Sequence, residues 1–279
     1  MTAAIRTFAM TCLSIVLAFG AVGLAQAADR DRLEAFLEVT GFDVALESIK
    51  LSADAAPNMI GVQTDDFGSE WKRIVEEVFD TGQMHDMALD ILEQTLDDDL
   101  LAHAVDFYAS DLGQRLVVAE NASHLVEDDA AKTEQGESIV AGLVRLGSPR
   151  LEELKRLNAA SGSADASLHA IQEVQVRFIM AAAVAGVIEL QMDEEDLREN
   201  LKTQEGELRR RMQASALSGS AYTYQAFSDA EITAYADALE DPKMQKVYAL
   251  MNAVQFEIMA DRFEAMAARM QGVQSSQEL

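Results

Sequence analysis

Apolar residues recur three and four apart along almost the whole chain, with few β-branched runs, so the pattern predicts amphipathic helices throughout and an all-α fold. Leu33, Phe36 and Leu37 open a helix that Gly41 ends, and Val44, Leu46, Ile49 and Leu51 mark a second. Ser52–Gly68 is expected to be the longest loop, with Ser69 capping a helix that carries Trp71, Ile74, Val75 and Val78. Asp80-Thr81-Gly82 breaks the pattern before Met84, Met87, Ile91 and Leu92. Leu100, Leu101, Ala104, Val105 and Tyr108 then form one stripe, and Leu112, Leu116, Ala119 and Val126 another, a helical hairpin joined at Ala109-Ser110. A helix from about Ala130 stops at Gly147, and Ser148-Pro149 opens another through Leu157. Ala159–Asp165 is small and polar and is expected to be a linker. Phe178–Ile188, an apolar run between Arg177 and Glu189, is about half the length that spans a bilayer and is expected to be a central helix buried on all sides. Asp193–Arg211 predicts a polar-faced helix and Ser215–Tyr224 a break, after which a long helix runs to about Met270 and a disordered tail covers 271–279.

The hairpin has a fainter copy 131 residues on. Asp98, Asp106, Gln114, Asn121 and Ala122 meet Asp229, Asp237, Gln245, Asn252 and Ala253, while Leu101/Ile232, Arg115/Lys246 and Leu116/Val247 are conservative pairs. The punctuation recurs too. Ser228 with Glu231 is a capping box opposite Asp97, and Asp241-Pro242 opens the second arm opposite Ser110-Asp111. Two related helical halves are therefore expected, residues 28–160 and 161–279, each carrying one hairpin.

Ahead of them, residues 1–27 hold Arg6, an apolar run Phe8–Val22 and a closing Ala25-Gln26-Ala27. That is the pattern of a secretory signal peptide, which predicts a periplasmic chain mature from Ala28 and without a stable membrane anchor. The lone cysteine, Cys12, falls inside this segment, so no disulfide, cysteine nucleophile or cysteine metal site is expected beyond it. With 22 Lys and Arg against 48 Asp and Glu the net charge is −26, a surface that repels nucleic acid and anionic lipid.

Candidate chemistry is sparse. His85, His103, His124 and His169 lie on different predicted helices, and no metal-protease, nucleophile-elbow or phosphate-loop motif is present. Asp99, His103 and Asp106 share a helical face that could ligate a cation, but one helix rarely completes a site. The acidic runs Asp97–Asp99, Glu127–Asp129 and Asp193–Glu195 sit at predicted helix ends, where carboxylates complement the dipole and cap free N–H groups. No cofactor and no metal is expected.

Phe107-Tyr108, Ser110, Gly113, Gln114 and Arg115 together resemble a pattern of the exported bacterial family termed domain of unknown function 2059. The resemblance implies an exported helical protein and brings no catalytic residues, because that family has no assigned activity. Ala238, Leu239 and Met244 replace Phe107, Tyr108 and Gly113 in the second copy, so the motif belongs to the first half alone. Its residues point to packing at the hairpin corner, or to a groove floored by Gly113 and rimmed by Tyr108 and Arg115.

The last helix repeats methionine at 244, 251, 259, 266 and 270, with Phe263 on the same broad face. Methionine suits an adaptable surface, and the expectation is a split, with Met244 and Met251 buried and Met259, Phe263, Met266 and Met270 forming a face whose last two methionines are partly exposed. The functional expectation is a non-enzymatic binding or chaperone-like module for a protein, peptide or apolar ligand, with self-association as another use of that face. The alternative is a metal-handling protein or enzyme around His103 or a cleft near Tyr222 and Tyr224, which requires histidines or tyrosines to converge in one pocket. The glycine in the motif yields a direct test. Gly113→Leu should lower the melting temperature by several degrees, given overpacking costs of about 1–3 kcal/mol, and an unchanged melting curve would refute a close approach there.

Overall fold

The structure, a computed structural model, describes residues 30–61, 70–126, 128–162 and 164–277. Residues 1–27, expected to be a signal peptide, and Ser69 lie outside the described residues. Every regular element among the described residues is helical. In chain order they are α1 (30–40), α2 (Phe42–Ser48), a 3-10 stretch (Ile49–Ala55), α3 (Ala56–Met59), α4 (Glu70–Val78), α5 (Thr81–Thr95), α6 (Asp98–Tyr108) and α7 (Asp111–His124). They continue with α8 (Asp129–Leu146), α9 (Arg150–Ser161), α10 (Ala164–Val184), α11 (Glu194–Thr203), α12 (Glu205–Thr223), α13 (Asp229–Leu239) and α14 (Pro242–Gln277).

Local chemistry sets these boundaries as the sequence predicts. Asp80, Asp97, Ser110, Asp128, Asp193 and Ser228 each accept a hydrogen bond from the backbone N–H three residues on, and Ser228 with Glu231 closes the capping box. The three acidic runs are thus occupied in capping. Gly41 and Gly147 end their helices at φ of 71° and 60°, the left-handed conformation that costs glycine little.

Helix α14 is the axis of the core. Helices α4, α5, α6, α9, α10 and α13 all pack on it, and Met244, Val254, Ile258, Phe263, Met266 and Met270 are buried. Phe263 sits between Phe79 and Phe178, which meet it edge-on with centroids 5.7 and 5.5 Å away. Arg262, buried beside it, donates to Gln83 Oε1 (2.6 Å) and the Val78 carbonyl, tying α14 to α4 and α5. Ion pairs lash the outer helices to this frame: Arg177 on α10 grips Glu257 and Glu264, and Arg156 on α9 grips Asp237 and Glu240.

Several expectations are corrected. Met266 and Met270 have no exposed surface, so the expected split of the methionine face fails: α4, α5 and α10 pack on α14. The helix also continues through the expected disordered tail to Gln277. Phe178–Ile188 is not the central helix, since α10 ends at Val184, which is 87% exposed, and only one side of it lies on α14. Ser52–Met59 winds as 3-10 and α-helix, not loop. Residues 215–223 do not break but complete α12, while Gln204 separates α11 from α12. Small residues there serve contact: a Cβ on Gly136 of α8 would lie 2.7 Å from the Ser218 carbonyl carbon on α12.

The hairpins keep their offset. Helices α6 and α13 both have 11 residues and start at 98 and 229, 131 positions apart, as do the starts of α7 and α14 at 111 and 242. Burial recurs likewise at Leu101/Ile232, Ala104/Tyr235, Tyr108/Leu239, Gly113/Met244 and Leu116/Val247. The paired asparagines play matching parts. Asn121 crowds Gly41 at the end of α1, and Asn252 crowds Gly162 at the end of α9, donating to the Ser161 carbonyl (3.0 Å). The close contact of α8 with α12 makes a prediction. Gly136→Ala should destabilise the chain by about 1–3 kcal/mol in denaturant unfolding, whereas Gly142→Ala on the same helix, with open space around it, should not; equal effects would refute the contact.

Candidate functional site

Where α14 begins, the helices that reach it carry tyrosines in place of aliphatic side chains. Tyr108 is the last residue of α6, Tyr235 lies midway along α13, Tyr248 on the second turn of α14, and Tyr224 caps the C-terminus of α12. Their rings are held by aromatic contacts. Phe107 stacks on Tyr235 (5.7 Å, 6°) and meets Tyr108 edge-on (5.1 Å), and Tyr224 stands edge-on to Tyr235 (5.9 Å) and Phe227 (6.1 Å). Rings so packed bring the four hydroxyls into one network, two of whose members, Tyr224 and Tyr235, reach the carboxyl group of Glu120 on α7.

Tyr224 Oη donates to Glu120 Oε1 at 2.7 Å, and Tyr235 Oη lies 2.9 Å from the same oxygen. Tyr235 Oη also contacts Tyr248 Oη (2.8 Å) and Tyr108 Oη (3.1 Å), and the Tyr108 and Tyr248 hydroxyls touch each other. These are five oxygen–oxygen contacts, while four tyrosines supply four protons. If Glu120 is ionised it takes the protons of Tyr224 and Tyr235, leaving two for the three contacts of the Tyr108–Tyr235–Tyr248 triangle. A protonated Glu120 supplies the fifth by donating to Tyr235, and the triangle then closes head to tail. Burial acts in the same direction, pushing the Glu120 carboxyl above its ordinary value against the hydrogen bonds from Tyr224 and Tyr235. Burial likewise raises all four tyrosines, so they stay protonated donors.

The network forms one wall of a cavity of about 390 Å³, a volume in the range of small-ligand sites. Both hairpins line it. Asn121, Ser123 and His124 follow Glu120 along α7; Asn158 and Ser161 come from α9, Ser220 and Thr223 from α12, and Met251, Asn252 and Gln255 from α14. Ala216, exposed while lining the cavity, marks its opening. At the rim, Lys132 of α8 donates to the Ser123 carbonyl (2.8 Å), and burial lowers its pKa. His124, beside it and exposed, is held below its ordinary value first by desolvation and then by Lys132. Asn121 Oδ1 is buried in the wall and accepts no hydrogen bond.

Of the residues singled out from sequence, Tyr108, Tyr224 and His124 enter this site. Gly113 lies at the hairpin corner, where a Cβ would stand 2.6 Å from Tyr108 Cα, and so holds Tyr108 in place. Arg115 faces outward, pairing with Glu231 (2.5 Å) and lying over the Phe227 ring (5.6 Å). The Ser228 backbone N–H and then Arg115 hold Glu231 down to about 2. Met259 is half-buried, while Phe263, Met266 and Met270 are core, so the expected binding face on α14 is withdrawn. The Asp99–His103–Asp106 face does not assemble: Lys243 takes Asp99 (2.8 Å), His103 lies 3.2 Å from Asp241, and Asp106 points outward. Sequence reasoning missed Glu120, although its place four residues after Leu116 put a carboxylate on the buried stripe of α7. It noted Tyr222 and Tyr224 as a cleft, and the structure places only Tyr224 in the cavity.

Residues 82–141 match the model of the family described as an uncharacterized protein conserved in bacteria, DUF2059, and this span includes the motif Phe107–Arg115 and Glu120. No curated protein and no solved structure matches the chain.

The buried acid has a thermodynamic signature. The folded chain holds the Glu120 proton more tightly than the unfolded chain does, so its ionisation costs stability as pH rises from the ordinary value of 4.5 through the raised folded one. Glu120→Gln keeps a donor toward Tyr235 and removes the titration. The melting temperature of Glu120→Gln relative to wild type should therefore climb between pH 4 and pH 8; a constant difference would show that Glu120 is not held protonated.

Proposed function

We propose that this chain, a DUF2059-family protein over residues 82–141, is an exported, periplasmic binding module that holds a small polar ligand in the cavity between its two hairpins. The carrying observation is the convergence of four tyrosine hydroxyls and the Glu120 carboxyl on a single opening-bearing cavity. Burying such a set of polar groups costs several kcal/mol of desolvation that an apolar core would avoid, a cost that a folded chain carries for specificity of recognition. The leader pattern of residues 1–27 supports export, and the charge of −26 supports a role away from nucleic acid and anionic lipid.

The second reading is catalysis, because the condition set for it, tyrosines converging in one pocket, is met. Binding is favoured by how the cavity's hydroxyls are used. Ser161 and Ser220 donate to the main-chain carbonyls of Asn158 and Leu217, and Thr223 donates to Ser123, so these groups line the wall as fixed dipoles and lack a base to activate them.

A thermal-shift screen of small polar molecules against the full chain tests the reading. Ligand at 100 times its Kd stabilises by about 2.7 kcal/mol, which in a chain of this size raises the melting temperature by roughly 5–10 °C. Ala216→Trp, at the exposed mouth, should abolish that shift while leaving the ligand-free melting temperature near wild type. A screen in which no compound separates wild type from Ala216→Trp would overturn the proposal.

A further inference from the structure

The chain is strongly acidic, and most of its described cations pair with carboxylates, Arg156 and Arg177 with two each. Lys132, which lines the cavity, does not. It makes no ion pair among the described residues, and only one of its three donors is used, on the Ser123 carbonyl. Glu120 is its counterpart. It has no cationic partner, and its second oxygen, Oε2, makes no hydrogen bond and is not sealed from the cavity. An unpaired cation and an unpaired carboxyl thus open on one small space.

Both line the same cavity, Lys132 at its rim, where Ser123 of α7 holds its ammonium, and Glu120 in its wall. A molecule bridging them must carry a carboxylate at one end and an ammonium at the other. We propose that the cavity's ligand is a small amino-carboxylate zwitterion, its carboxylate on Lys132 and its ammonium on Glu120 Oε2, with the tyrosine hydroxyls fixing the carboxylate of Glu120. This rests on the small-ligand reading above and names its chemistry.

Binding then moves a proton. The arriving ammonium favours ionised Glu120, so the carboxyl releases its proton to the buffer as the new ion pair forms, and Tyr235 turns its own proton to Glu120 with no other covalent bond changed. His124 faces the same end as Lys132 and adds no negative charge, leaving Glu120 as the carboxyl that the cavity presents to the ammonium.

Calorimetric titration of the full chain with glycine, β-alanine and γ-aminobutyrate, against propionate and propylamine as one-ended controls, tests it. At least one zwitterion should bind ten times or more tightly than both controls and, at a pH where Glu120 is protonated, release protons, read as a binding heat that varies with buffer ionisation enthalpy. Lys132→Gln should bring the zwitterion down to the level of propylamine, and Glu120→Gln to that of propionate with proton release lost. If the zwitterions bind no better than the controls while neutral glycerol or glucose binds and Ala216→Trp blocks it, the zwitterion inference falls and the small-ligand reading stands. If none of these probes binds the wild-type chain, the zwitterion inference falls with no support left for the cavity as a site of this size class.

Discussion

The burial of the apolar face of α14 from Met244 to Met270 is the constraint to which the rest of the structure answers. Side chains at 244, 254, 258, 263, 266 and 270 are all sheltered, over about 39 Å of helix, so that span needs neighbours throughout. Helices α6, α9 and α13 supply them near its start, and α4, α5 and α10 further along. The Phe79–Phe263–Phe178 stack is the centre of that second half, and removing the middle ring would leave two aromatic edges facing a void. Methionine at 244, 251, 266 and 270 fits this role because an unbranched side chain fills the uneven gaps between helices arriving at different angles.

The tyrosine network lies at the other end of the same helix. There the surrounding residues are tyrosines, whose rings continue the apolar packing while their hydroxyls require partners. Glu120 satisfies two of them, and burial pushes its carboxyl above the ordinary value against the hydrogen bonds that Tyr224 and Tyr235 make to it. Each part depends on another: Gly113 allows the tight corner that seats Tyr108, Tyr108 closes the hydroxyl triangle, and Phe107 holds Tyr235 by stacking. The Phe107–Arg115 motif, within the span that matches the family model, therefore acts mainly through position, setting one wall of the cavity, while Arg115 at its end anchors α7 to α13 on the outside.

The recurrence of helix boundaries and burial at an offset of 131 residues gives the cavity its setting. Tyr108 and Glu120 come from the first hairpin, Tyr235 and Tyr248 from the second, and the asparagines Asn121 and Asn252 line the space from corresponding places. The hairpins differ where the chemistry lies. At the position of Tyr108 the second has Leu239, and at that of Glu120 it has Met251, so one arm pair carries the carboxyl and the other completes its hydroxyl shell.

Sequence alone determined the all-α class, nearly every capped helix start, the glycine stops and the hairpin recurrence, because those features are decided by residues within three or four positions of one another. Aspartates at 80, 97, 128 and 193 bond their own helix's N–H groups whatever lies beyond. What only the tertiary structure decided is which apolar face is covered and by what. Met266 and Met270 read the same in sequence whether they meet solvent or α4, α5 and α10, and the small residues 215–223 read as a break until Gly136 is seen to bring α8 against them. The site was hidden for the same reason. Glu120 bonds Tyr224 and Tyr235 across 104 and 115 residues, and no local pattern announces a partner that far away; a carboxylate on a buried stripe and tyrosines on four other helices showed only that each would need one.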